Sequence, residues 1–216
     1  MTGTGGGEPA WKPGRPGDGV HYRLSYSFLV DELTSLARAA GRGDRDALAR
    51  FVRLTQGDVW RFCAHLVDPA AADDLAQETY LRAIPALGRF RGDAQVRTWL
   101  LSIARRVCAA EFGARTRERE LAARLLNAPT AGLGQPPPEP GAQAAVDLLL
   151  AALDPDRRTA FVLTQLLGCS YAEAAQVCDC PIGTIRSRVA RAREDLDAML
   201  GESAERPRSI GHSGAC

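Results

Sequence analysis

Between Leu153 and Leu200 the chain is driven toward two short amphipathic helices around a tight turn, because a capping box, a turn residue and a proline follow one another closely. Ser170-Tyr171-Ala172-Glu173 offers a hydroxyl and a carboxylate that reciprocally satisfy the first free amides of a helix, so a helix is predicted to begin near Tyr171. It can run only to about Val177, since Asp179 and Pro181 follow and proline cannot donate a backbone hydrogen bond inside a helix. Asp179 tolerates the left-handed angles a turn demands. Past Pro181, residues Ile182, Ile185, Val189, Ala192, Leu196, Met199 and Leu200 recur at helical spacing and predict one buried stripe. At about 100° per residue, Gly183, Arg186, Ser187, Ala190 and Arg191 share the opposite face. Small residues alternating with guanidinium groups suit a helix seated in the major groove of duplex DNA.

Net charge does not advertise such a role. At +1 over 216 residues the chain lacks an overall basic footprint. The cations are instead gathered locally: residues 181–193 carry four Arg and no acid, and residues 96–124 carry seven Arg against three Glu. Two separate basic blocks predict two contacts with one polyanion. A single Lys, Lys12, stands against 26 Arg. That bias suits bidentate guanine and phosphate contacts, although GC-rich coding produces it equally well.

Helical periodicity predicts an all-α chain of two small domains. The first helices are expected at about 28–40, 44–66, 70–87 and 94–112. Residues 1–26, rich in Gly and Pro, read as a disordered extension; 28–120 as a four-helix unit; 121–142 as a flexible proline-rich linker; 143–201 as the helix-turn-helix unit; and 202–216 as a disordered tail. Asp154-Pro155 supplies a cap followed by proline at the first helical position. No apolar run approaches the roughly 20 residues that span a bilayer, and no signal-peptide core is present, so a cytoplasmic protein without a membrane role is expected. Its six cysteines are scattered through apolar helical contexts, which fits free buried thiols. Cys178-x-Cys180 lacks a second pair at ligand spacing, and no metal or other cofactor is expected. Walker A, His-Glu-x-x-His and Ser-His-Asp patterns are absent, which argues against an enzyme.

Four runs in order carry a family resemblance. Asp73-Asp74-Leu75-Ala76-Gln77-Glu78-Thr79-Tyr80-Leu81-Arg82-Ala83, then Phe90-Arg91-Gly92-Asp93-Ala94, then Thr98-Trp99-Leu100 with Ile103-Ala104-Arg105, resemble region 2 of extracytoplasmic-function sigma factors of the sigma-70 family. Cys180-Pro181-Ile182-Gly183-Thr184-Ile185-Arg186-Ser187-Arg188, with Arg191-Ala192-Arg193, resembles their region 4. Residues 56–62 and 163–167 are similar to the actinobacterial sigma C subgroup.

The resemblance implies a dissociable initiation subunit, monomeric when free, that binds core RNA polymerase and promoter DNA and has an anti-sigma factor as a further partner. Asp73, Asp74, Gln77, Glu78, Leu81 and Arg82 match the part that docks on the clamp helices of the largest polymerase subunit. Phe90, Arg91, Gly92, Asp93, Ala94 and Gln95 match the loop that captures a flipped base of the minus-10 element. Arg97, Thr98, Trp99, Ser102, Arg105 and Arg106 match the adjoining helix, on which a melted strand would stack and be held. Ser170, Tyr171, Gly183, Thr184, Arg186, Ser187, Arg188 and Arg191 match the module that reads the minus-35 element. Arg106 stands where many relatives carry Asn, so the base preference at minus-10 does not transfer. Pro85 interrupts the end of the docking helix. The rival reading is a two-domain helix-turn-helix regulator that binds DNA without polymerase; the acidic docking face and proline-rich linker argue against it.

Overall fold

A computed structural model describes the backbone over residues 21–92, 94–126 and 142–205, and the side chains over 31–92, 94–118, 121–122 and 145–201. Among the described residues the chain forms helices and turns and no strand. The first unit consists of α1 (His21–Gly41), α2 (Arg45–Leu66), α3 (Ala72–Ala86), a single 3₁₀ turn (Leu87–Arg89) and α4 (Val96–Leu126). Asp44 starts α2, its Oδ1 accepting from the amides of Asp46 at 3.0 Å and Ala47 at 2.9 Å. The helices meet over Phe51, Val59 and Phe62 of α2, Leu75 of α3 and Val96, Leu100 and Leu101 of α4. The Thr55 and Tyr80 hydroxyls lie 2.8 Å apart between α2 and α3, and burial pushes the Tyr80 phenol up to about 12. Pro85 falls in the last turn of α3, where the helix gives way to the 3₁₀ turn.

The second unit comprises α5 (Ala142–Ala152), α6 (Pro155–Phe161), a π-turn (Val162–Leu166), α7 (Tyr171–Cys178) and α8 (Ile182–Glu205). Each predicted local signal forms. Asp154 Oδ1 caps α6 with Pro155 at its start, Ser170 and Glu173 close the capping box of α7, and Asp179 takes φ 52°, ψ 53° in the turn.

Several boundaries differ from expectation. α1 begins at His21, so His21–Tyr26 are helical and not part of the extension. α4 continues to Leu126, past position 120, because Arg, Glu, Ala and Leu fill this stretch and nothing in it breaks a helix. α8 carries six turns and more, through Gly201 to Glu205. The expectations for residues 1–20, 127–141 and 206–216 lie outside the described residues. In the α8 stripe, Ile185, Val189 and Ala192 are buried, Leu196 and Met199 are partly covered, and Ile182 and Leu200 are exposed. The partners α6 and α7 have seven and eight residues, too short to cover both ends of a 24-residue helix.

The two units pack against each other, with α7 on α4 and α5 on α2. Arg158 pins the seam. It is 5% exposed and donates from Nη1 to the carbonyl of Leu66 at 2.9 Å, while Nη2 reaches the carbonyls of Ala151 and Leu153 within its own unit. Leu66 is the last residue of α2, whose terminal carbonyls lack intrahelical donors and carry the negative end of the helix dipole. Burial lowers the Arg158 pKa, but a guanidinium stays charged at any physiological pH. Arg97 of α4 makes the reciprocal crossing: Nη2 donates to the Leu167 carbonyl at 2.8 Å and Nη1 lies 3.3 Å from the Cys169 sulfur. His65 Nδ1 and Asp147 Oδ1 approach to 3.2 Å between α2 and α5. A cleft of about 160 Å³ remains along the seam, between α4 and α6.

Phe62→Ala removes a fully buried ring from the first core and is expected to cost about 3–5 kcal/mol, read from the chemical-denaturation midpoint.

Candidate nucleic-acid interface

On α8 the buried residues Ile185, Val189 and Ala192 turn Gly183, Arg186, Ser187 and Arg191 outward, and all four are exposed. Arg186 and Arg191 have no hydrogen-bond or ionic partner among the described residues, so their five-donor forks are available to an external acceptor. Thr184 is half-buried and its carbonyl accepts from the Ser187 hydroxyl at 3.0 Å. Ser170 is occupied in holding α7: its Oγ accepts from the Glu173 amide at 3.2 Å, and the Glu173 carboxylate accepts from the Ser170 amide at 2.7 Å. Tyr171 is half-buried against the core. Arg188 departs from expectation. It turns back to donate to Asp156 in the first turn of α6, with Cys180 Sγ 3.7 Å from its Nη1.

The second basic block, on α4, is more divided. Arg91 and Gly92 are exposed on the loop before it, Ala94 and Gln95 are half-buried, and Asp93 lies outside the described residues. Phe90 and Trp99 pack together with ring centroids 5.3 Å apart and a 51° tilt, leaving Trp99 half-buried at the edge of the core. Ser102 Oγ donates to the Trp99 carbonyl at 2.7 Å. Arg106 is exposed. Thr98, expected on the presented face, is only 3% exposed, because two buried faces now flank α4, one packing on α2 and α3 and the other on α7. Arg97, also expected to face DNA, is held in the seam by Asp58 Oδ2 at 2.6 Å as well as by the α7 side. Arg105 stands 4.0 Å from Asp156.

Asp156 therefore lies between one arginine from each basic block, Arg105 on α4 and Arg188 on α8. Sequence inspection missed it, since Asp156 reads as an ordinary acidic residue in the first turn of a helix. The Arg158 pin was equally hidden among basic residues, and only its neighbour Asp154-Pro155 gave a local signal.

The acidic face of α3 is presented outward. Asp74 is exposed and has no partner among the described residues, and Gln77 is exposed. Leu81 is 59% exposed. Asp73 accepts from the Trp60 indole at 2.9 Å, and Glu78 is neutralised by Arg82 at 2.7 Å, so Asp74 is the carboxylate left to attract a cation. Beside this face, Trp60, Gln56, Ala76 and Tyr80 line a groove of about 720 Å³ between α2 and α3.

Two family models match the chain. Residues 51–118 match "Sigma-70 region 2" and residues 143–196 match "Sigma-70, region 4". The chain is 47% identical over 175 residues to the ECF RNA polymerase sigma factor SigC of Mycobacterium tuberculosis, covering 80% of this chain and 92% of that protein. Among solved structures it is similar to the sigma factor RpoE of Bartonella quintana, in complex with the anti-sigma factor NepR, at TM-score 0.56 and 28% identity over 71% of this chain and 96% of that one. It is also similar to CnrH, in complex with the cytosolic domain of CnrY, at TM-score 0.59 and 28% identity over 79% and 98%. The chain belongs to the extracytoplasmic-function branch of the sigma-70 family of RNA polymerase sigma factors.

Asp156→Asn removes the negative charge between the two arginines. Because the pair with Arg188 is partly exposed and worth up to about 1 kcal/mol, the free variant is expected to bind minus-35 duplex about two- to fivefold more tightly, measured by fluorescence anisotropy.

Proposed function

We propose that this sigma factor joins core RNA polymerase through the outward face of α3, reads the minus-35 element with α8, and holds the opened minus-10 strand with the loop before α4 and the exposed edge of that helix. The observation that carries this reading is that Arg186 and Arg191 have no partner among the described residues, on a helix whose opposite stripe is locked into the core, in a chain whose α3 presents an exposed acidic face. Each well-placed bidentate arginine supplies about 1–3 kcal/mol of discrimination at a guanine. Flipping a base out of the duplex costs a few kcal/mol, and stacking on an aromatic returns about 1–3 kcal/mol, so the captured strand offsets the cost of opening without a hydrolysed cofactor. Phosphodiester chemistry stays with the polymerase.

The packed seam supports a second element of the reading. In the free chain Arg97, Arg105 and Arg188 are engaged by other residues of the protein, so part of both DNA faces is self-occluded, and polymerase binding separates the units. The protein acts in the cytoplasm, in keeping with helices none of which, among the described residues, is long and apolar enough to cross a membrane. The relatives solved with NepR and with the CnrY cytosolic domain support a protein inhibitor for this chain as well. A regulator that acts without polymerase would need no acidic face on α3, and gel filtration with core enzyme separates the two readings.

Asp74→Arg places a cation against a basic docking surface and is expected to lower core-polymerase affinity by at least tenfold while leaving minus-35 duplex binding by the isolated chain unchanged, as read by co-elution and anisotropy. Arg186→Ala is expected to do the reverse: normal holoenzyme assembly with a loss of about 1–3 kcal/mol of minus-35 discrimination, seen as a five- to hundredfold fall in transcripts from intact promoters against minus-35 mutants.

A further inference from the structure

A guanidinium outside both basic blocks lies directly against the loop assigned to strand capture. The C-terminal turn of α1 is wedged onto the 3₁₀ turn: a Cβ at Gly41 would stand 2.7 Å from the Leu87 carbonyl oxygen, so the two backbones are in direct contact. That contact fixes Arg38, one turn earlier on α1, beside the loop that starts at Phe90. Gly92 has φ +84°, and a Cβ added there would stand 2.9 Å from Arg38 Nη2. The absent side chain lets the guanidinium lie on the loop backbone.

Arg38 is exposed and has no hydrogen-bond or ionic partner among the described residues. The same holds for Arg42, Arg89 and Arg91 around it. Four arginines without an ionic partner among the described residues thus lie on or beside a loop whose aromatic residue, Phe90, packs on Trp99. Concentrated positive charge attracts a polyanion, and a phosphodiester track beside splayed bases is the polyanion such a loop would meet.

We propose that Arg38 is a further DNA contact, holding a backbone phosphate of the opened strand beside the Phe90–Gln95 loop, where Gly92, whose positive φ favours glycine, leaves its guanidinium close to the backbone. The proposal rests on the strand-capture reading above. Arg38 supplies positioning and affinity and no base identity, because phosphate contacts carry no sequence information directly.

The test uses holoenzyme assembled from core polymerase and full chain, with a fluorescein-labelled forked DNA whose single-stranded overhang comes from a promoter on which the wild-type holoenzyme gives a run-off transcript. Arg38→Ala is expected to weaken binding about fivefold near 0.1 M salt and to reduce the slope of log K against log salt by about 0.7, as for one lost single-strand phosphate contact. Arg38→Lys, which restores the charge, is expected to recover the slope. Core affinity and the thermal midpoint should be unchanged in both. Arg106→Glu, on the exposed edge of α4, is the companion variant. If Arg106→Glu weakens binding and Arg38→Ala alters neither affinity nor slope, the Arg38 contact is overturned and the capture reading stands. If neither variant changes binding, both fall. A loss in Arg38→Ala that comes with a lower thermal midpoint or weaker core binding also overturns the contact, since the residue would then act through structure.

Discussion

A buried arginine at the end of α2 decides how the two halves of this molecule sit. Arg158 belongs to the second unit, yet its Nη1 finds an acceptor in the last carbonyl of α2, while the carbonyls of the α5–α6 turn take its other nitrogen. A charge taken out of water is tolerable only when its donors are met, and here three carbonyls substitute for a carboxylate. Nε alone is left without a partner among the described residues. The reciprocal crossing by Arg97 ties α4 to the segment before α7. Together they bring α4 and α8 close enough for one carboxylate, Asp156, to lie between an arginine of each.

The consequence is a division of labour among the arginines. Those facing the seam hold the protein together, and those facing away, Arg186, Arg191 and Arg106, keep their donors for a partner. Near-zero net charge makes sense in this light, because long-range attraction to DNA is local to two faces and is partly neutralised inside the free chain. The seam combines both kinds of contact: buried apolar residues of the two units run on as one cluster, and Arg158 and Arg97 cross it to backbone carbonyls.

Local chemistry was the most legible part of the sequence. The Ser170–Glu173 capping box, the left-handed Asp179 and the Asp154-Pro155 start all act within three or four residues, so their signals are complete in the sequence. The core of the α8 stripe, Ile185, Val189 and Ala192, was equally readable, since a single periodicity records one buried face. Arg97 was misjudged for the corresponding reason: its acceptor lies 70 residues downstream and adds no period to the helix that carries it, and Thr98 beside it is buried where α4 packs on more than one neighbour. The same limit hid Asp156 and Arg158, whose partners lie 32 and 92 residues away. α4 runs beyond position 120 because strong helix formers continue to Leu126, and their run carries no cap or breaker that would mark the end of the helix in the sequence.

The most direct test is run-off transcription with purified core enzyme, the full chain and a library of randomised promoter sequences. Transcripts should appear only when the chain is added, and their templates should share two short conserved boxes at a fixed separation, one read as duplex and one in the opened region. Failure of the chain to join core enzyme, or transcripts whose templates share no such pair of boxes, would contradict a two-point grip on promoter DNA.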